Sequence, residues 1–224
     1  MSERILILGG TKEAAELAEE LVAEGRSVIT SLAGRTTEPL PVAGAVRKGG
    51  FGGADKLATW LIANKITKII DATHPFARQI SKNAVRAAAL SDVALDIRRR
   101  QPWIRHEKDI WIEVGDLETA ANTIAAGETV FLAIGSQYLQ PFEHRTDVHF
   151  ITRMINPPDS GIALADYKLI LARPSSDWRA EAELFQANRV TTLVCRNSGG
   201  TGAHAKIIAA RELAIPVIII KMPA

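Results

Sequence analysis

At 224 residues, 47% hydrophobic and 23% charged with a formal net charge of +2, the chain can fill one sizeable α/β domain or two small ones. No apolar run approaches the roughly 18 residues of a membrane span, and "MSERILILGG" reaches glycine too soon for a secretory signal, so a cytoplasmic location is expected. The single cysteine, Cys195, excludes a disulfide framework and a thiolate metal cage, and no His, Cys or carboxylate cluster has metal spacing, so no metal is expected.

Apolar runs alternate with helical patterns from the first residues. "RILILGG" reads as a strand, and "KEAAELAEELVAEG" as a helix with Ala14, Leu17, Ala18 and Leu21 on one face, closed by Gly25. "SVITSL" is a second strand. A glycine- and proline-rich stretch follows, with a short strand around Ala45 to Arg47. "ADKLATWLIANK" is a helix, "ITKIIDA" a strand, "PFARQISKNAVRAAALSD" a helix and "VALDIRR" a strand. Pro75 suits the first turn of its helix, where the missing N–H is an orphan donor anyway. After "RRRQPWIRHEK" the rhythm restarts with strands "TVFLAIGS", "DVHFITRMI" and "YKLILAR". Helix "SDWRAEAELFQANR", strand "VTTLVCRNS", helix "TGAHAKIIAARELA" and strand "PVIIIK" complete it. Such alternation predicts doubly wound parallel sheets. The expected arrangement is two α/β domains, 1–97 and 98–224, with a ligand groove between them.

Four stretches carry chemistry. Gly9, Gly10 and Thr11 fall between the first strand and its helix, where backbone N–H groups and a helix N-terminus can meet a phosphate. This is not the G-x-G-x-x-G fingerprint, and a tight structural turn explains a double glycine almost as well. The second strand ends "TSLAGR", with Ser31 and Arg35 but no carboxylate before Glu38. A hydroxyl and a guanidinium suit a 2′-phosphate, so NADP is favoured over NAD if a dinucleotide binds. Thr73, His74 and Pro75 should lie at a strand's carboxyl end, the edge where open α/β sheets bind ligands. A capped junction with an exposed histidine is the plainer alternative. "RRRQPWIRHEK" offers guanidinium forks to a polyanion, or is simply a solvated basic loop. Near-neutral charge and few aromatics argue against a nucleic-acid partner.

"ILILGGTKEAAELA", "SLAGRT", "GGFGG", "IDATHPFARQISKNA" and "NSGGTGAHAKIIAARELAIPVIIIKMP" together resemble the precorrin-6A reductase family of cobalamin biosynthesis, over nearly the whole chain. The resemblance implies two Rossmann-like parallel-sheet domains, cofactor on the first and a tetrapyrrole in the cleft. It implies an oxidoreductase that moves a hydride from NADPH to one double bond of precorrin-6A, giving precorrin-6B and NADP⁺. The substrate's acetate and propionate rim would be the polyanion.

Carried over by motif, Gly9, Gly10 and Thr11 match the phosphate loop. Ser31 and Arg35 match the adenosine end. Gly50, Phe51 and Gly52 match the loop over the cofactor. Thr73, His74 and Pro75 match the nicotinamide turn, with His74 the candidate proton donor. Arg98, Arg100, Arg196, Asn197, Ser198, Gly199, Gly200, Thr201 and Lys206 are the expected substrate contacts. The family often has lysine where Arg196 stands. A non-catalytic NADP-binding sensor is the rival reading, and a monomer is compatible with the sequence.

Overall fold

Residues 5–8 are all apolar and fully buried, and with Arg4 they become β1 (Arg4–Leu8), the central strand of its sheet. The computed structural model describes residues 3–34, 41–158 and 161–223. The chain divides into two units, residues 1–100 and 101–224.

In the first unit, β1 is followed by α1 (Lys12–Ala23), β2 (Ser27–Leu32), β3 (Ala45–Lys48), α2 (Ala54–Ala63), β4 (Lys68–Asp71), α3 (Arg78–Ser91) and β5 (Ala94–Ile97). The strands are all parallel in the order β3-β2-β1-β4-β5. Side chains alternate across β1, so Ile5 and Ile7 pack with Ala14 and Ala18 of α1. Leu6 and Leu8 face the opposite way, onto Leu57, Ala58 and Leu61 of α2 and Ala84, Ala87 and Ala88 of α3. Helices on both faces explain why these strands read as continuous apolar runs.

One local expectation is corrected. Pro75 is not in the first turn of α3, which starts at Arg78. His74, Pro75, Phe76 and Ala77 form a tight turn instead, closed by Ala77 N donating to His74 O at 2.7 Å. Proline serves a turn as well as it serves a helix start. Likewise β5 ends at Ile97, so the strand expected to reach Arg99 stops short.

The second unit contains β6 (Trp111–Val114), α4 (Leu117–Thr123), β7 (Thr129–Ala133), β8 (His149–Met154), β9 (Tyr167–Leu171), α5 (Trp178–Ala187), β10 (Thr192–Arg196), α6 (Ala205–Glu212) and β11 (Val217–Ile220). Its six strands are also all parallel, in the order β6-β11-β10-β7-β8-β9. Phe131, Ile151, Leu193 and Cys195 meet Phe185 of α5 and Ile207 of α6 on one face. Burial pushes the Cys195 thiol up to about 11, so it stays a neutral core group. Among the described residues no helix is long and apolar enough to cross a membrane.

Candidate functional site

All-parallel pairing puts every strand's carboxyl end on one edge of the first sheet. Gly9 to Thr11 after β1, Ser31 in β2, Gly50 to Gly52 after β3 and Thr73 to Pro75 after β4 therefore share that edge. Strand order reverses between β1 and β4, the position where such sheets open a crevice. Arg35 lies outside the described residues.

The β1–α1 turn is built around its glycines. Gly9 N donates to Ser31 O at 3.0 Å, and a Cβ there would come within 2.9 Å of Thr30 Cγ2. Gly10 has φ +99, with nothing within 4 Å of where a Cβ would point. The backbone of this turn is thus exposed to an approaching group beside the N-terminus of α1. The Thr11 hydroxyl caps α1, accepting from Ala14 N at 3.1 Å and donating to Ala72 O at 2.9 Å. Thr11 therefore ties the helix start to the end of β4, and its backbone is what the turn offers to a ligand. These features fit a dinucleotide's pyrophosphate.

At the end of β4, buried Asp71 accepts from Thr73 N at 3.1 Å and from Thr73 Oγ1 at 2.7 Å. Phe76 N donates to His74 Nδ1 at 3.3 Å. A neutral His74 ring therefore carries its proton on Nε2. Arg98 and Arg100, which follow β5, are engaged within the first unit. Arg98 pairs with Asp96 at 2.9 Å, and Arg100 lies 2.5 Å from Glu13 in the first turn of α1. Arg100 thereby offsets a carboxylate at a helix end that attracts anions.

In the second unit, the loop after β10 is held by a tryptophan. Asn197 Oδ1 accepts from Trp103 N at 2.7 Å, and Asn197 Nδ2 donates to Trp103 O at 3.0 Å. Trp103 Nε1 donates to Gly200 O at 2.7 Å. Asn197 and Ser198 are buried, and Gly199 and Gly200 have positive φ. Lys206 is fully buried, donates to Ala203 O at 2.7 Å and lies 4.9 Å from the Trp103 ring. Burial pushes its ammonium pKa down, and the Arg153 charge adds to that. Arg153 pairs with Glu181 at 2.7 Å, both almost wholly buried. Arg196 stacks on Tyr138 at 4.4 Å, its pKa lowered by burial. Thr201 is exposed.

Comparison with known proteins adds a decisive finding. The family model described as "Precorrin-6x reductase CbiJ/CobK" matches residues 4–224. This chain belongs to that family. It is similar to the precorrin-6A reductase of Rhodobacter capsulatus, 42% identical over 99% of this chain and 88% of the relative. The cobalt-precorrin-6A reductase of Priestia megaterium is 28% identical over 98% of this chain and 90% of the relative. A solved structure titled "CobK precorrin-6A reductase" superposes with TM-score 0.95 at 42% identity, covering 99% of this chain and 89% of that one. The resemblance read from the five motifs is borne out.

Several residues at these strand ends escaped the sequence reading. Asp71 stood inside the strand expected as "ITKIIDA", but only the turn shows it gripping Thr73. Arg47 closes the short strand expected around Ala45, and the sequence names no partner for it. The register of β2 and β3 places it opposite Ser31. Trp103 stood within an arginine-rich run, and its partner Asn197 is 94 residues away.

Proposed function

We infer that this protein reduces one double bond of precorrin-6A, consuming NADPH and a proton and giving precorrin-6B and NADP⁺. The observation that carries the reading is the family match across nearly the whole chain, supported by a strand-end edge shaped for a dinucleotide. Identity also favours the metal-free macrocycle: relatives named precorrin-6A reductase are 36–42% identical, those named cobalt-precorrin-6A reductase 26–31%.

NADPH, when bound, supplies the hydride. The backbone of Gly9, Gly10 and Thr11 with the α1 N-terminus holds the pyrophosphate. Ser31 and Arg35 meet the adenosine end, and Gly50, Phe51 and Gly52 cover it. Thr73, fixed by Asp71, and the Pro75 turn orient the nicotinamide, and positioning of this kind is most of what hydride transfer needs. His74, taken up as the imidazolium, donates the proton from Nε2 as the acceptor carbon pair is reduced and returns to the neutral imidazole. Arg98, Arg100, Arg196, Lys206 and the backbone of Ser198, Gly199, Gly200 and Thr201 serve the macrocycle's carboxylates. Asn197 acts there by shaping the loop through Trp103.

The test is anaerobic single-turnover reduction, wild type against His74→Asn, with metal-free and cobalt-loaded substrate side by side across a pH series. Wild type should consume NADPH with the metal-free substrate. His74→Asn should slow the step by about 10²–10⁴-fold with the NADPH Kd preserved. NADPH binding without consumption by wild type would return the sensor reading. A variant within threefold of wild type at every pH would end the role of His74 alone.

A further inference from the structure

The parallel register sets Ser31 of β2 against Arg47 of β3. Paired residues of neighbouring strands point to the same face, so both side chains leave the sheet together at its carboxyl edge. That is the level at which NAD-binding sheets place an acid for the ribose hydroxyls. Here it holds a buried hydroxyl and a guanidinium, with Arg47 Nη1 3.5 Å from Ser31 Oγ.

The Arg47 side chain is already fixed in place. Its guanidinium lies 3.7 Å over the Phe51 ring, a stacking distance for a planar cation. Nη1 donates to Gly49 O, and Nη2 donates to Gly50 O at 2.9 Å. These bonds turn the first glycines of "GGFGG" back toward β3. Among the described residues Arg47 pairs with no carboxylate, unlike Arg26, Arg86, Arg98 and Arg100 of the same unit. Two of its five N–H groups serve the loop carbonyls, leaving donors for an anion. A held arginine loses less side-chain entropy on binding than a free one.

We propose that Arg47 is a specificity-determining residue, reading the 2′-phosphate of the nucleotide together with the Ser31 hydroxyl. The proposal rests on the NADPH reading and adds to it a residue on β3. The Phe51 ring beneath the guanidinium helps hold it in place, so the same group both folds the glycine loop and recognises the nucleotide.

The experiment measures binding of two probes, 2′,5′-ADP and 5′-AMP, by calorimetry on the full chain. Wild type, Arg47→Met and Arg47→Lys are compared, with thermal melts reporting folding. Wild type should prefer 2′,5′-ADP. Arg47→Met should lose roughly 10–100-fold in 2′,5′-ADP affinity, the worth of hydrogen bonds to a charged group. Its 5′-AMP affinity should change less than about twofold, and Arg47→Lys should recover part of the preference, as a point charge in place of a fork. A wild type that does not discriminate the probes would overturn the NADP reading and this inference with it. A discriminating wild type whose preference survives Arg47→Met would overturn only this inference. Equal losses for both probes would do the same, reducing Arg47 to a shaper of the loop.

Discussion

The two units share an all-parallel sheet and differ in how they treat charge and polarity. In the first, the core is aliphatic and alanine-rich, and ion pairs such as Arg86–Asp55 and Arg98–Asp96 stand at the surface. In the second, Phe131, Phe142, Phe150 and Phe185 are fully buried, and Arg153–Glu181 and Arg211–Asp109 are carried inside with them. The strand ends follow suit. Around Gly10 the first unit presents open backbone, whereas Asn197, Trp103 and Lys206 of the second are engaged with their own surroundings. The lesson is one of division: a backbone edge suits a cofactor common to many folds, and a side-chain-built edge suits a ligand that must be told from others.

The sharpest way to break this contrast is Glu181→Ala. It leaves Arg153 and Lys206 buried without their carboxylate, and removal of one buried partner costs about 3–5 kcal/mol. Urea unfolding should show that loss in tryptophan fluorescence, since Trp103, Trp111 and Trp178 all belong to the second unit and Trp60 to the first. An unchanged midpoint would show that the interior pair is dispensable.

Next in size is Asn197→Ala, which removes both bonds to the Trp103 backbone. A loss of about 1–3 kcal/mol is expected for the buried groups left unpaired. The NADPH Kd should stay as it was, because the edge we propose for the nucleotide belongs to the first unit. A matching loss of NADPH affinity would join the two edges into one cooperative site.

The smallest stability effect is expected at the surface. Arg98→Ala removes an exposed pair and should cost about 0–1 kcal/mol. If the arginine meets a substrate carboxylate, KM for the macrocycle rises with the NADPH Kd constant. Steady-state constants identical to wild type would leave Arg98 a solvated surface group.

Much of the fold was legible because its strands are buried on both faces. β1, β2, β7, β10 and β11 are short apolar runs between turn signals, and they fall where the periodicity puts them. β6 and α4 were missed for a physical reason. Trp111–Val114 is an edge strand whose middle residues, Ile112 and Glu113, are exposed, and α4 buries only Ala120 and Ala121. Neither leaves a strong hydrophobic period. Glycine loops and the Thr73–Pro75 turn were readable because backbone geometry limits which residues can stand there. Arg47, Glu181 and Arg153 were not, since their meaning comes from partners that only strand register and helix packing supply.

The strand order of the second sheet sets a timetable for the chain's synthesis. β6 is the first strand of its unit to leave the ribosome, yet it pairs only with β11, about a hundred residues later. The first unit's pairings are complete once β5 has emerged, so it can fold while the rest is still being made. The second must wait with an apolar sheet face uncovered and its β10 edge open until Val217–Ile220 arrives. Expression at lower temperature, or with chaperone present, should therefore raise the yield of native protein chiefly through this late-closing half.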